Sequence, residues 1–170
     1  MEIGRRSPHQ GGNNGAELQL VPTDVAAVPL AEEVTALEVE LAARGYATVL
    51  NHYQQAADAL VHHKYESANG ALRTSLEDLV TRLATDHAGF QPELGPNGQP
   101  QANQGGRAIS HLVDTTKRIP LDDGGMMLRG LWRLSCTNGP HPGRSNADEA
   151  RSRLQLVTAT ARLLLGYFPL

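Results

Sequence analysis

At 170 residues, with a formal net charge of −3 and a sequence pI near 6.1, the chain has the size of one domain and lacks the global basic field of many nucleic-acid binders. Cys136 is the single cysteine, which excludes an internal disulfide and fits a cytoplasmic setting. No apolar run reaches the ~20 residues of a membrane span, so no membrane partner is expected.

Residues 1–22 are rich in Gly, Asn and Gln and show little periodicity, so they read as a disordered or partner-docking arm. Arg5 and Arg6 are not followed by an apolar run, as a secretory signal requires. Residues 23–170 read as a single helical domain. Val34, Leu37, Leu41 and Ala42 form a first helical stripe, with Gly45 as its stop. Val49, Leu50, Tyr53, Ala57, Leu60 and Val61 form a second stripe, ending near His62 and His63. Tyr65, Ala68, Leu72, Leu76, Leu79, Val80 and Leu83 form a third, read as core.

Residues 88–106 hold three prolines and five glycines without any period, the mark of a long surface loop. A fourth helix is expected from Arg107 to Lys117, with Ile109, Leu112 and Val113 inward. Pro120 and the Gly124–Gly125 pair then break the chain. A fifth helix, about 126–135, carries Met127, Leu128, Leu131, Trp132 and Leu134. The sixth is capped by Ser145 or Asn146 and has Asp148 and Glu149 in its first turn, where carboxylates favour the helix dipole. Its stripe is Ala150, Leu154, Val157, Ala161, Leu164 and Leu165. With no convincing strand alternation, the fold class is all-α, a bundle of five to six helices.

Between the fifth and sixth helices runs Leu134-Ser-Cys-Thr-Asn-Gly-Pro-His-Pro-Gly143. Pro140 and Pro142 fix the backbone on both sides of His141, so the imidazole is placed rather than merely carried. Arg129, Arg133, Asn138, His141 and Arg144 fall within sixteen residues. An imidazole moves protons near neutral pH, and guanidinium groups hold a phosphodiester and its developing charge. Arg129 and Arg133 are four apart and share a helix face. RNA can be cleaved with these groups alone, because its 2′-hydroxyl is the nucleophile. His62 and His63 are adjacent and diverge on a helix, so they do not share a metal ion, and neither a metal nor a cofactor is called for. Cys136 reads as a small buried side chain. The glycines before Arg107 leave room for an anion at a helix N-terminus, which makes Arg107 a nucleic-acid or nucleotide contact.

The segment Ala71-Leu-Arg-Thr-Ser-Leu-Glu-Asp-Leu-Val-Thr-Arg-Leu-Ala84 resembles the Arg…Leu-Glu helix of HEPN domains of the abortive-infection and toxin type. Thr137-Asn-Gly-Pro-His141 and the Ala/Leu-rich helix after it resemble the family's R-x4–6-H loop and final helix. The likeness covers about residues 45–168. It implies an HEPN-like all-α fold, a homodimer or larger homo-oligomer, and metal-independent endoribonuclease activity in antiviral defence or a toxin–antitoxin pair, with a cognate protein partner. By that resemblance His141 is the acid/base and Asn138 orients the loop. Thr137 occupies the usual place of the motif arginine, and Arg133, one turn earlier, is the residue left to hold phosphate. Arg129, Arg144 and Arg107 would contact RNA. The alternatives are a noncatalytic interaction or assembly module, and a nucleotide-binding helical domain.

Overall fold

The computed structural model describes residues 30–98, 101, 104–137 and 145–169. The expected arm at 1–22, the start of the domain at 23–29 and the segment 138–144 lie outside the described residues. Among the described residues there are six α-helices: α1 (Leu30–Ala43), α2 (Ala47–Val61), α3 (Tyr65–Ala88), α4 (Gly105–Thr116), α5 (Met126–Thr137) and α6 (Ala147–Tyr167). The all-α bundle is as the sequence predicts. Among the described residues the one extended pairing is a short bridge in the α3–α4 connection, where the Gln101 N–H donates to the Glu93 carbonyl at 2.8 Å.

α3 is the central element and packs against α2, α4, α5 and α6. Its 24 residues span about 36 Å. Leu72, Leu76, Leu79, Val80, Leu83 and Ala84 are buried at 2 % exposure or less, the width of burial a helix needs when it has neighbours on several sides. The α6 stripe foreseen from sequence is buried throughout, and Phe168 closes the core beyond it.

The helix ends follow from specific residues. Gly45 takes φ +69°, and the Gly45 and Tyr46 N–H groups return to the Ala42 and Leu41 carbonyls at 3.0 Å each, a Schellman closure of α1. α2 ends by the same geometry on a histidine: His63 takes φ +58°, and the His63 and Lys64 N–H groups reach the Leu60 and Ala59 carbonyls. The His62–His63 pair is thus a chain reversal. His62 Nδ1 lies 2.8 Å from the Asp58 carbonyl and His63 Nδ1 lies 2.9 Å from the Tyr65 hydroxyl. At the far end of the bundle, the buried Arg44 side chain donates to the Leu165 and Phe168 carbonyls at the C-terminus of α6. It also pairs with Glu40 at 2.7 Å, so α1 caps α6.

Four sequence expectations change. The break at 120–125 is continuous structure: Leu121–Gly125 forms a π-helical turn, with the Gly125 N–H on the Pro120 carbonyl at 2.8 Å, and runs straight into α5. Val61 is 73 % exposed, because the stripe that buries Val49, Tyr53, Ala56 and Ala59 drifts away from position 61. Ala42 is exposed as well. Cys136 is exposed, since α5 buries Leu128, Leu131 and Ser135 at i, i+3 and i+7 and turns position 136 outward.

Candidate functional site

The arginine-bearing helix α5 is held through its tryptophan. Trp132 is half-buried and lies on the first turn of α4, where a Cβ built on Gly105 would come 2.6 Å from the indole ring and one on Gly106 would come 3.1 Å from Nε1. The two glycines that the sequence offers as an anion cradle are a bed for the indole. The Gly105 N–H is also taken, donating to Glu77 Oε1 at 3.1 Å. The Arg73 guanidinium of α3 lies 5.5 Å from the Trp132 ring centroid, a cation–π distance. Arg129 faces α4 with Nη2 3.6 Å from Asp114 Oδ1. Arg133 is exposed, one turn after Arg129 and four residues before the end of the helix.

Asn138, His141 and Arg144 lie in 138–144, outside the described residues. The helix that follows is anchored firmly. Asn146 is its N-cap, as one of the two sequence options had it, and Asn146 Oδ1 accepts from the Glu149 N–H at 2.8 Å. Ser145 accepts from Nδ2 of the buried Asn69 on α3 at 2.9 Å. Nearly two turns into α6, Arg153 is 4 % exposed, pairs with Glu149 at 2.8 Å, and keeps Nε and Nη1 buried without a partner. α5 thus carries Arg129 and Arg133, and α6 carries the buried Arg153. Arg107 belongs elsewhere: it pairs with Glu93 and borders a shallow depression with Phe90, His111 and Asp114.

A site that the sequence reading passed over adjoins the Trp132 bed along α3 and shares Arg73 and Glu77 with it. A cavity of about 650 Å³ opens between α3, the N-terminus of α2 and the short segment before α4. α3 gives it two adjacent rows at helical spacing, Arg73–Glu77–Thr81–Thr85 and Thr74–Asp78–Arg82. Tyr46, Gln101 and Gln104 form the facing walls. Asp78 is 2.7 Å from His52 Nδ1, and Arg82 donates to Asp86 at 2.8 Å. Asp86 also accepts from the Tyr46 hydroxyl at 3.3 Å. Burial, followed by the charge and hydrogen bond of Asp86, raises the Tyr46 phenol above its ordinary value. Two polar atoms of the wall, Thr81 Oγ1 and Gln104 Oε1, are buried without a hydrogen-bond partner. The signal was present in sequence as polar residues four apart on α3, but the apolar stripe on the same helix claimed it for the core.

Among the described residues no three His, Cys, Asp or Glu side chains converge as metal ligands, and no helix is long and apolar enough to cross a membrane. Compared with known proteins, the chain matches no family model, no curated sequence and no solved structure.

Proposed function

We propose that the domain acts on RNA as an HEPN-like helical module, with metal-independent phosphodiester cleavage at the α5–α6 end. The observation that carries this reading is the grouping of Arg73, Arg129 and Arg133 around Trp132 on and beside α5. Guanidinium groups bind phosphate, and a cluster of them can follow the backbone of single-stranded RNA. The same helix leads directly into the segment that carries Asn138 and His141.

In the proposed reaction His141 takes the proton of a 2′-hydroxyl, and the oxygen attacks the adjacent phosphorus. The P–O5′ bond breaks, the 5′-oxygen takes a proton from water, and a 2′,3′-cyclic phosphate remains. Arg133 offsets the charge on the phosphorane and Asn138 orients the scissile group, while Arg129 and Arg144 extend the cationic rim; Arg107, paired with Glu93, stands apart from it. A second copy of the chain would dock on apolar surface of α5 and α6. Met127 and Leu134 on α5, and Leu156 and Leu163 on α6, form two apolar i, i+7 rows that are each 41–46 % exposed.

The test is incubation of a labelled single-stranded RNA pool with the purified chain in chelator. Wild type is expected to leave cyclic-phosphate ends, and His141→Ala to slow cleavage by about 100-fold or more, the scale of a lost acid/base. A wild type that neither binds nor cuts RNA refutes the proposal and leaves a noncatalytic interaction module.

A further inference from the structure

The outer side of α6 carries an apolar strip that no described helix covers. Leu156 and Leu163 are 46 % and 43 % exposed, and Ala159 between them is open as well. At about 100° per residue the three fall within about 60° of arc, so they share one side of the helix. Farther along, a Cβ built on Gly166 would meet nothing within 4 Å. The strip is small. Two leucines, each with less than half of its surface open, offer far less than the roughly 800 Å² that each partner of a stable complex buries. By itself it holds neither a free peptide nor a second copy.

A tethered occupant needs less surface. Eight residues, 22–29, separate Val21 from α1. Such a link spans about 30 Å at most. A segment on so short a tether is present at an effective concentration on the order of millimolar. The start of α1 also lies beside the strip, because Glu33 in its first turn pairs with Arg162, the residue before Leu163. Leu156 is about 10.5 Å beyond Leu163 along the α6 axis, well inside the reach of the link. The composition matches too. Leu18, Leu20, Val21, Val25 and Val28 are apolar, and the only charges between positions 16 and 29 are Glu17 and Asp24. Both are acidic, and the edge of the strip carries the exposed Arg151 and Arg162. Opposite charge at the rim of a contact orients the partner.

We propose that the apolar strip of α6 is the docking site of residues 18–28 of the same chain. A second copy that reaches this strip has to displace that segment. The contact goes beyond the RNA reading and does not rest on it.

The test uses the full chain with the exposed Cys136 changed to Ser and one nitroxide placed beside the strip through Gln155→Cys, also an exposed position. Backbone amide NMR signals of residues 18–28 report the distance to the label. Those signals should be lost with the nitroxide active and return when it is reduced. Leu18→Asp with Leu20→Asp, which leaves the bundle untouched, should restore them in the active sample. Leu163→Glu should do the same with the helical circular-dichroism signal unchanged. Signals at 18–28 that survive the active label overturn the proposal. So does a loss indifferent to the arm substitutions and to Leu163→Glu, since the short tether alone would then account for it. A third arm mixes isotope-labelled chain lacking the nitroxide with unlabelled chain bearing it. Loss of the 18–28 signals in that mixture would give the strip to another copy's arm and overturn the proposal as well.

Discussion

Arg44 offers the sharpest energetic test of the fold, because one side chain closes the bundle at the end where α1 meets α6. Its side chain is 6 % exposed, and its two terminal nitrogens reach the Leu165 and Phe168 carbonyls and the Glu40 carboxylate. Arg44→Ala removes two charge-assisted bonds to carbonyls at the end of α6, each worth about 1.5–3 kcal/mol, and leaves the Leu165 carbonyl only the 3.2 Å bond from the Phe168 N–H. Water reaching the vacated end recovers part of that, which leaves a net loss of about 3 kcal/mol. For a domain of this size the melting temperature should fall by about 6–12 °C. Arg44→Lys should recover less than half, because an ammonium cannot reproduce the planar fork that spans two carbonyls and a carboxylate. Urea unfolding followed at 222 nm gives both numbers. Raising salt should leave the difference nearly intact, since the group is buried. A loss under about 1 kcal/mol, or a lysine variant equal to wild type, would refute the assignment of Arg44 as the α6 cap.

Two further outcomes follow from buried groups. The Thr158 hydroxyl donates to the Leu154 carbonyl at 2.7 Å, so Tyr53 is the donor in its short bond to Thr158, and burial pushes the Tyr53 phenol from 10.0 up to about 12. The unfolded phenol ionises first, so stability should fall as pH rises from 10 to 12, by up to about 1.4 kcal/mol per pH unit from this group. Tyr53→Phe should cost about 1 kcal/mol at neutral pH and make the alkaline slope shallower; an unchanged slope would refute it. Gly105→Ala forces a methyl to within 2.6 Å of the indole and should cost about 1–3 kcal/mol with a shift in Trp132 fluorescence, whereas an unshifted spectrum would show that the ring does not lie there.

The helices were legible because their apolar spacing carries the information directly. Ala150, Leu154, Val157, Ala161, Leu164 and Leu165 all face inward on α6, as do Ile109, Leu112 and Val113 on α4. The π-helical turn was not, since glycines and a proline usually punctuate a chain and nothing local reveals an i to i+5 bond. His63 in the left-handed region was hidden for a similar reason, the position being one that glycine ordinarily fills. For the site, the sequence pointed to Arg129 and Arg133 but gave no hint that Arg73, sixty residues earlier, lies over the tryptophan between them. The α3 cavity escaped because a helix with neighbours on several sides carries two patterns at once, and the apolar one is the louder.

The wide turn before α5 acts as a phase setting for that helix. A π-helical turn holds one more residue than an α-helical turn of the same hydrogen-bonding role, so it advances every later side chain by about 100° around the axis. The Gly124 and Gly125 positions leave room for Ile119 and Val113 at 2.9 and 3.1 Å from where a Cβ would sit, which lets the turn press against α4. With that extra residue, Trp132 comes to rest on Gly105–Gly106 and Arg129 meets Asp114. Without it, the same helix would carry the indole off its bed and turn both arginines to another side of the bundle.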